Sequence, residues 1–202
     1  MILCRTNAPL VSQYFRFMAR NIRASILGRK MGEGLIALLD KFNVGSVRDL
    51  AIAIETWCDA KLEEENAKKF PSENYLATIR DKHDCIMSFL PGCASPNEVR
   101  QKIDRAFADK RCSKCGAGYP AEAKRCQQPL CNGAELVTPR GVKLASIHKA
   151  KGLEARRVFF LTPRGAECPM QRAKMSDWQM VQEMNLRYVG ITRAIEELVW
   201  VS

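Results

Sequence analysis

The sequence predicts an α/β fold: a parallel sheet flanked by helices and interrupted by an insertion that is helical at first and then rich in cysteine. Three observations lead there. Short apolar runs alternate with amphipathic stretches in residues 1–44 and 138–202, whereas the region between shows helical patterning without strands. Charge divides the same way, with seven basic and two acidic residues in 1–44, eleven and six in 138–202, and fourteen of each in 45–137. Four cysteines also fall together between positions 112 and 131, in a stretch punctuated by glycine and proline.

The elements follow in chain order. MILCRT opens with an apolar run suited to a buried strand, and PLVSQYFRFMAR has apolar residues at helical spacing with Pro9 in the first turn. IRASILG reads as a second strand and GLIALLDKF as a second helix that Gly45 ends. Ser46 then caps a long amphipathic helix, SVRDLAIAIETWCDAKLEEEN. Ser72 and Ser95 cap two more, over 72–90 and 96–109, with Pro91-Gly92 between them. Residues 45–110 are thus a helical insertion and 111–137 a cysteine-rich segment. The α/β pattern returns with VKLASI as a strand, HKAKGLEA as a loop or short helix, and RRVFFLTP as a strongly apolar strand. A polar stretch, 163–177, reads as a mobile loop leading to a helix over 178–195, and ELVWV closes as a strand.

At 202 residues the chain can hold one large domain or two small ones and bury a real core. Its 32 basic against 22 acidic residues leave a net charge of +10, which favours a polyanionic partner, nucleic acid first. The neutral balance of 45–137 counts against a main phosphate-binding role for the cysteine segment. No apolar run has the length of a membrane span, and no signal-peptide pattern opens the chain. The expected compartment is the reducing cytoplasm, where nine cysteines are thiols or metal ligands rather than disulfides.

Cys112-x2-Cys115 is followed by Gly116, and Cys126-x4-Cys131 by Asn132-Gly133. The first pair has the form of a zinc knuckle, whose turn lets backbone amides face the thiolates, and the second can supply the other two ligands. Four thiolates at this spacing suit tetrahedral Zn2+ in a closed, structural site; the alternative is four reduced cysteines in a loop. A segment with so little apolar content needs another source of stability, and metal would provide it. Cys4, Cys58, Cys85, Cys93 and Cys168 stand alone and read as core or incidental residues, and His83 as an ordinary helical residue.

In NLRYVGITRAIEELVWV the residue to explain is Arg193. Phosphoryl transfer builds charge on the γ-phosphate oxygens, which a planar guanidinium neutralises with paired hydrogen bonds. Arg5, at the end of a strand, and Arg193, at a turn–helix unit, occupy places from which a guanidinium can be presented to a cleft. The plain alternative for each is a solvated surface arginine.

Three stretches taken together resemble the UvrD/Rep-type superfamily 1 DNA helicases: ILCRTNAPL their motif IV, VKLASIHKAKGLEARRVFFL their motif V and NLRYVGITRAIEELVWV their motif VI. The order agrees, and the resemblance covers residues 1–44 and 138–202. It implies the second RecA-like domain of an ATP-dependent helicase, interrupted where the family carries an accessory domain, although 45–137 shares no motif with that domain. It further implies that Arg5 and Arg193 reach the γ-phosphate, Arg193 as the arginine finger. Glu154, after a tight turn at Gly152, would lie near the nucleotide's sugar or metal. Tyr188 would pack under the finger, sit near the nucleotide or be a core tyrosine. Ser146, His148 and Lys149 would contact single-stranded DNA, His148 reading equally well as a structural hydrogen-bonding residue. The implied cofactor is ATP with Mg2+. The implied partners are single-stranded or partly duplex DNA and an N-terminal RecA-like domain, with this piece monomeric and away from membranes.

No G-x-x-x-x-G-K-[ST] phosphate loop is present, since LGRKMGEGL does not match, and no acidic metal-binding motif follows it. The chain is therefore expected to hold one wall of an ATP site, to be inactive alone, and to belong to a longer protein. Two other readings are a non-catalytic helicase-like module that binds DNA or protein through its zinc segment, and a chain that complements a separate ATP-binding subunit.

Overall fold

The computed structural model describes residues 1–170 and 175–202. In chain order, β1 (Ile2–Cys4), α1 (Ala8–Ala19) and β2 (Ala24–Leu27) are followed by α2 (Arg29–Leu39), α3 (Val47–Asn66), α4 (Glu73–Phe89) and α5 (Pro96–Ala106). Three short strands come next, β3 (Lys110–Cys112), β4 (Gly118–Tyr119) and β5 (Leu136–Val137); then β6 (Val142–Ser146), β7 (Ala155–Leu161), α6 (Asp177–Ile191) and β8 (Ala194–Val201). By their contacts these form two units, Met1–Gly28 with Pro139–Ser202, and Arg29–Thr138.

The first unit is built on a five-stranded sheet in the order β2-β6-β1-β7-β8, with every pair parallel. A parallel sheet is covered on both faces, so its central strands read as continuous apolar runs. Leu3, Ala145, Val158 and Phe160 are accordingly buried in one cluster. On one face α6 meets Phe160 at Gly190, where an added Cβ would stand 2.2 Å from the ring. Because all strands point the same way, the sheet has two chemically distinct ends. Met1, Gly141, Glu154 and Arg193 lie where strands begin; Arg5, Ser146 and Thr162 lie where they finish.

Two boundaries differ from the sequence expectation. The last helix stops at Ile191 rather than 195, because Ala194 is already paired with Ala155 in the sheet. Arg193 therefore sits in the turn between α6 and β8, with its carbonyl accepting from the Ala155 amide at 3.0 Å. The loop expected over 163–177 lies partly outside the described residues, at 171–174.

In the second unit, the Oγ atoms of Ser46, Ser72 and Ser95 accept from the amides of Asp49, Tyr75 and Glu98 and start α3, α4 and α5. The helix α2 was expected to belong with the sheet. It instead packs within this unit, where Gly32 lies so close to Phe107 that an added Cβ would stand 2.7 Å from that residue's Cβ. It also begins at Arg29 and ends at Leu39, well before Gly45. The cysteine segment forms a three-stranded antiparallel ribbon in the order β4-β3-β5. Among the described residues no helix is long and apolar enough to cross a membrane.

Candidate functional site

At the end of the sheet where strands begin, the geometry converges on Arg193. Its Nε donates to the Val189 carbonyl at 2.9 Å, Nη1 to the Leu153 carbonyl at 3.1 Å and Nη2 to the Thr192 hydroxyl at 2.9 Å. The guanidinium is thus aimed by neutral acceptors on α6 and on the segment preceding β7, with no carboxylate among these partners to cancel its charge. Glu154 adjoins Leu153 and is exposed, and Gly152 makes the turn before it at φ +81°, a conformation that glycine adopts without strain. Leu153, Glu154, Met1, Arg23 and Lys143 help to line a pocket of 840 Å3 at this end. Tyr188 does not join the core as one reading had it; it is 67% exposed on the outer side of α6.

The opposite end holds Arg5, Ser146, His148 and Lys149. Ser146 ends β6 and is buried, while His148 and Lys149 project from the 3-10 turn Ile147–Ala150 and are exposed. The structure brings these together with a residue that sequence reasoning missed, Glu183. Arg5 Nε donates to both Glu183 oxygens at 3.1 and 3.0 Å, and Nη2 donates to Oε1 at 2.6 Å. The Met170 amide adds a further donor at 3.1 Å to this buried carboxylate. Loss of solvent around the ring, and then the Arg5 guanidinium, hold His148 below the usual imidazole range.

Arg5 and Arg193 are anchored at opposite ends of the sheet. Leu161 at the end of β7 pairs with Cys4, and Ala155 at its start pairs with Ala194. At roughly 3.3 Å per residue, the two arginines are anchored about 20 Å apart along the sheet. Arg193 and Glu154 lie at one end of the sheet, and Arg5 is bound to Glu183 at the other. Glu183 left a faint signal in the sequence, an acid in register with Leu186 and Gly190 on the inner side of α6.

In the ribbon, the sulfurs of Cys112, Cys115, Cys126 and Cys131 all lie within 4.8 Å of one another. Zn–S bonds of about 2.3 Å in a tetrahedron give S···S edges of about 3.8 Å, and Cys115 Sγ to Cys126 Sγ measures 3.8 Å. The backbone turns around the thiols as a knuckle requires. Amides of Lys114 and Cys115 donate to Cys112 Sγ at 3.3 and 3.5 Å, and Gly116 closes the turn at φ +70°. Asn132 and Gly133 play the same part after Cys131, at φ +48° and +69°. The Cys115 amide, ahead of other donors, holds the Cys112 thiol well below its usual range, so a thiolate is already favoured there. Tyr119 also contributes, its hydroxyl lying 3.2 Å from Cys126 Sγ and accepting from the Gln127 amide at 2.8 Å. The four thiols fit a tetrahedral soft-metal site.

The first unit is thus a parallel α/β sheet whose helix–strand turn holds Arg193 against the segment that leads from Gly152 to Glu154. Residues 131–202 match the family described as UvrD-like helicase C-terminal domain. The chain is also similar to the ATP-dependent DNA helicase PcrA of Leuconostoc citreum and to that of Bacillus subtilis (strain 168). Each is 42% identical over 57 residues, 28% of this chain and 8% of the relative. The match thus spans a small fraction of the length of these relatives.

Proposed function

We propose that this chain is the C-terminal motor domain of an ATP-dependent DNA helicase or translocase, working with an N-terminal RecA-like domain that supplies the phosphate loop. The observation that carries the reading is Arg193, held by the carbonyls of Val189 and Leu153 at the same end of the sheet as Glu154. Bound between two such domains, ATP with Mg2+ supplies the γ-phosphate whose transfer drives the cycle. Arg193 keeps N–H donors in reserve beyond its carbonyl partners, which suits it to neutralise charge developing on a phosphate. Glu154 stands beside it to contact the sugar or the metal's shell, with Gly152 permitting close backbone approach. At the other end Ser146, His148 and Lys149 take the phosphates of a single DNA strand.

The helix α6 spans the two ends, with Glu183 toward the DNA side and Arg193 following its last turn, so rearrangement at one end is felt at the other. Zn2+ held by Cys112, Cys115, Cys126 and Cys131 would cross-link the ribbon as a structural ion. The chain alone is expected not to hydrolyse ATP. In the longer protein, Arg193→Ala lowers DNA-stimulated kcat by about 10³-fold or more while nucleotide binding persists. Turnover near the parent's value would end the assignment.

A further inference from the structure

Leu130 is 99% exposed, the most exposed of the large apolar residues described, yet the residues on either side of it are held by hydrogen bonds. It lies between two of the clustered cysteines, Cys126 and Cys131, and the Cys131 amide donates to the Gln128 carbonyl at 3.0 Å. Gln127 is fixed by its amide to the Tyr119 hydroxyl at 2.8 Å. An apolar side chain on a pinned loop is presented rather than merely left over. Pro129 and Leu130 form one wall of a groove of 610 Å3, within the range of small-ligand sites, and α5 forms the other with Gln101 and Arg105. Asp104 in that wall is neutralised by Arg29 at 2.7 Å.

Charge identifies the occupant. The neutral balance of 45–137 hides two opposite parts: residues 45–109 carry nine basic and twelve acidic groups, and residues 110–137 carry five and two. The ribbon is therefore a basic module attached to acidic helices. Lys114, Lys124 and Arg125 are exposed on it, and Arg105 is exposed across the groove. Exposed basic side chains bind phosphates, while an apolar wedge facing a guanidinium plane offers two flat or soft faces to a base. A base inside an intact duplex cannot enter such a groove; an unpaired one can.

We propose that the groove between α5 and the Pro129–Leu130 tip receives an unpaired base of a nucleic-acid strand, with the ribbon's lysines and Arg125 on the flanking phosphates. The inference extends the helicase reading by adding a strand-binding surface outside the RecA-like unit. It is tested with the purified zinc-loaded chain and a fluorescein-labelled oligothymidylate of about 20 nucleotides, by anisotropy across a salt series. Leu130→Ser and Arg105→Glu are each expected to weaken binding by about tenfold, and Lys124→Ala to make the salt slope shallower by about one. Zinc content and circular dichroism should stay at parental values, since these side chains lie outside the core. With a single 2-aminopurine in the strand, its fluorescence should change on binding the parent but not Leu130→Ser.

His148→Ala/Lys149→Ala is run alongside to separate the two surfaces. If only that variant loses affinity, the strand lies on the RecA-like unit, the function proposed above stands and the groove inference falls. Failure of the parent chain to bind the strand, or equal affinity of parent and groove variants, also overturns it and leaves the apolar tip as a protein-docking feature.

Discussion

Arg5 and Glu183 lie 178 positions apart and share a bidentate ion pair that ties the end of β1 to the middle of α6. Both side chains are largely shielded, at 15% and 8% exposure, and the carboxylate also accepts from the Met170 amide. A buried pair adds little net stability when formed, but deleting one partner strands the other charge. Glu183→Ala is therefore expected to destabilise the first unit by about 3–5 kcal/mol in urea denaturation. Glu183→Gln, which can still accept from Met170 and Arg5, should cost clearly less. A loss under about 1 kcal/mol for the alanine variant would mean that water replaces the pair and that it does not hold α6 in place.

The contact of Gly190 with Phe160 gives a second test. An alanine methyl would stand 2.2 Å from the ring edge in a packed layer, so the ring or α6 must move. Gly190→Ala should destabilise by about 1–3 kcal/mol despite alanine's better helix propensity. On the function proposed above, it should also lower ATP turnover, because Arg193 follows α6 within three residues. Stabilisation by the substitution would show that the helix tolerates the shift.

Much of this was legible in the sequence, and the exceptions have physical causes. The central strands of the parallel sheet were readable because burial on both faces gives them continuous apolar runs, as VFFL in β7 shows. The serine caps and the four cysteines were readable because capping and metal ligation are local in sequence. The side that α6 turns inward was not. Its exposed residues include Trp178, Val181, Met184 and Tyr188, while Glu183 and Gly190 are buried. Hydrophobic periodicity assigns the apolar side to the core, and here a carboxylate with an arginine partner takes that place. The separation of Arg5 from Arg193 was implicit in their places after β1 and before β8 of a parallel sheet, whereas the pairing of Arg5 with Glu183 was not, since the two lie 178 positions apart. Gly32 and Gly34 masked the first turn of α2, where Gly32 packs against Phe107.

His148 provides a pH dependence. The fold lowers its affinity for a proton, first by desolvation and then through Arg5. The unfolded chain thus binds that proton more readily, and stability rises with pH wherever this difference acts. The contribution is complete above about pH 6.5, the ordinary imidazole value, and is lost as pH falls through the lower folded-state value. Urea midpoints of the first unit should decline between about pH 7 and 5, and His148→Gln should flatten part of that decline. An unchanged slope in the variant would assign the decline to other groups.

The metal centre yields the sharpest contrast between the units. The ribbon's apolar cluster outside its four cysteines is little more than Tyr119 with Ala117, Ala123, Ala134 and Leu136, too small to offset the entropy of ordering its loops. The sheet of the first unit has its own core, from Leu3 to Phe160, and none of the four cysteines belongs to it. Purified chain should carry about one equivalent of zinc, and a strong chelator should unfold the ribbon while leaving the parallel sheet intact. Hydrogen exchange resolves the two outcomes: amides of residues 110–137 should lose protection on chelation, and those of β1, β6 and β7 should keep it. Cys131→Ser should reproduce the chelated pattern without chelator. Retained protection across the ribbon in metal-free protein would show that its strands, and not the ion, hold the four thiols together.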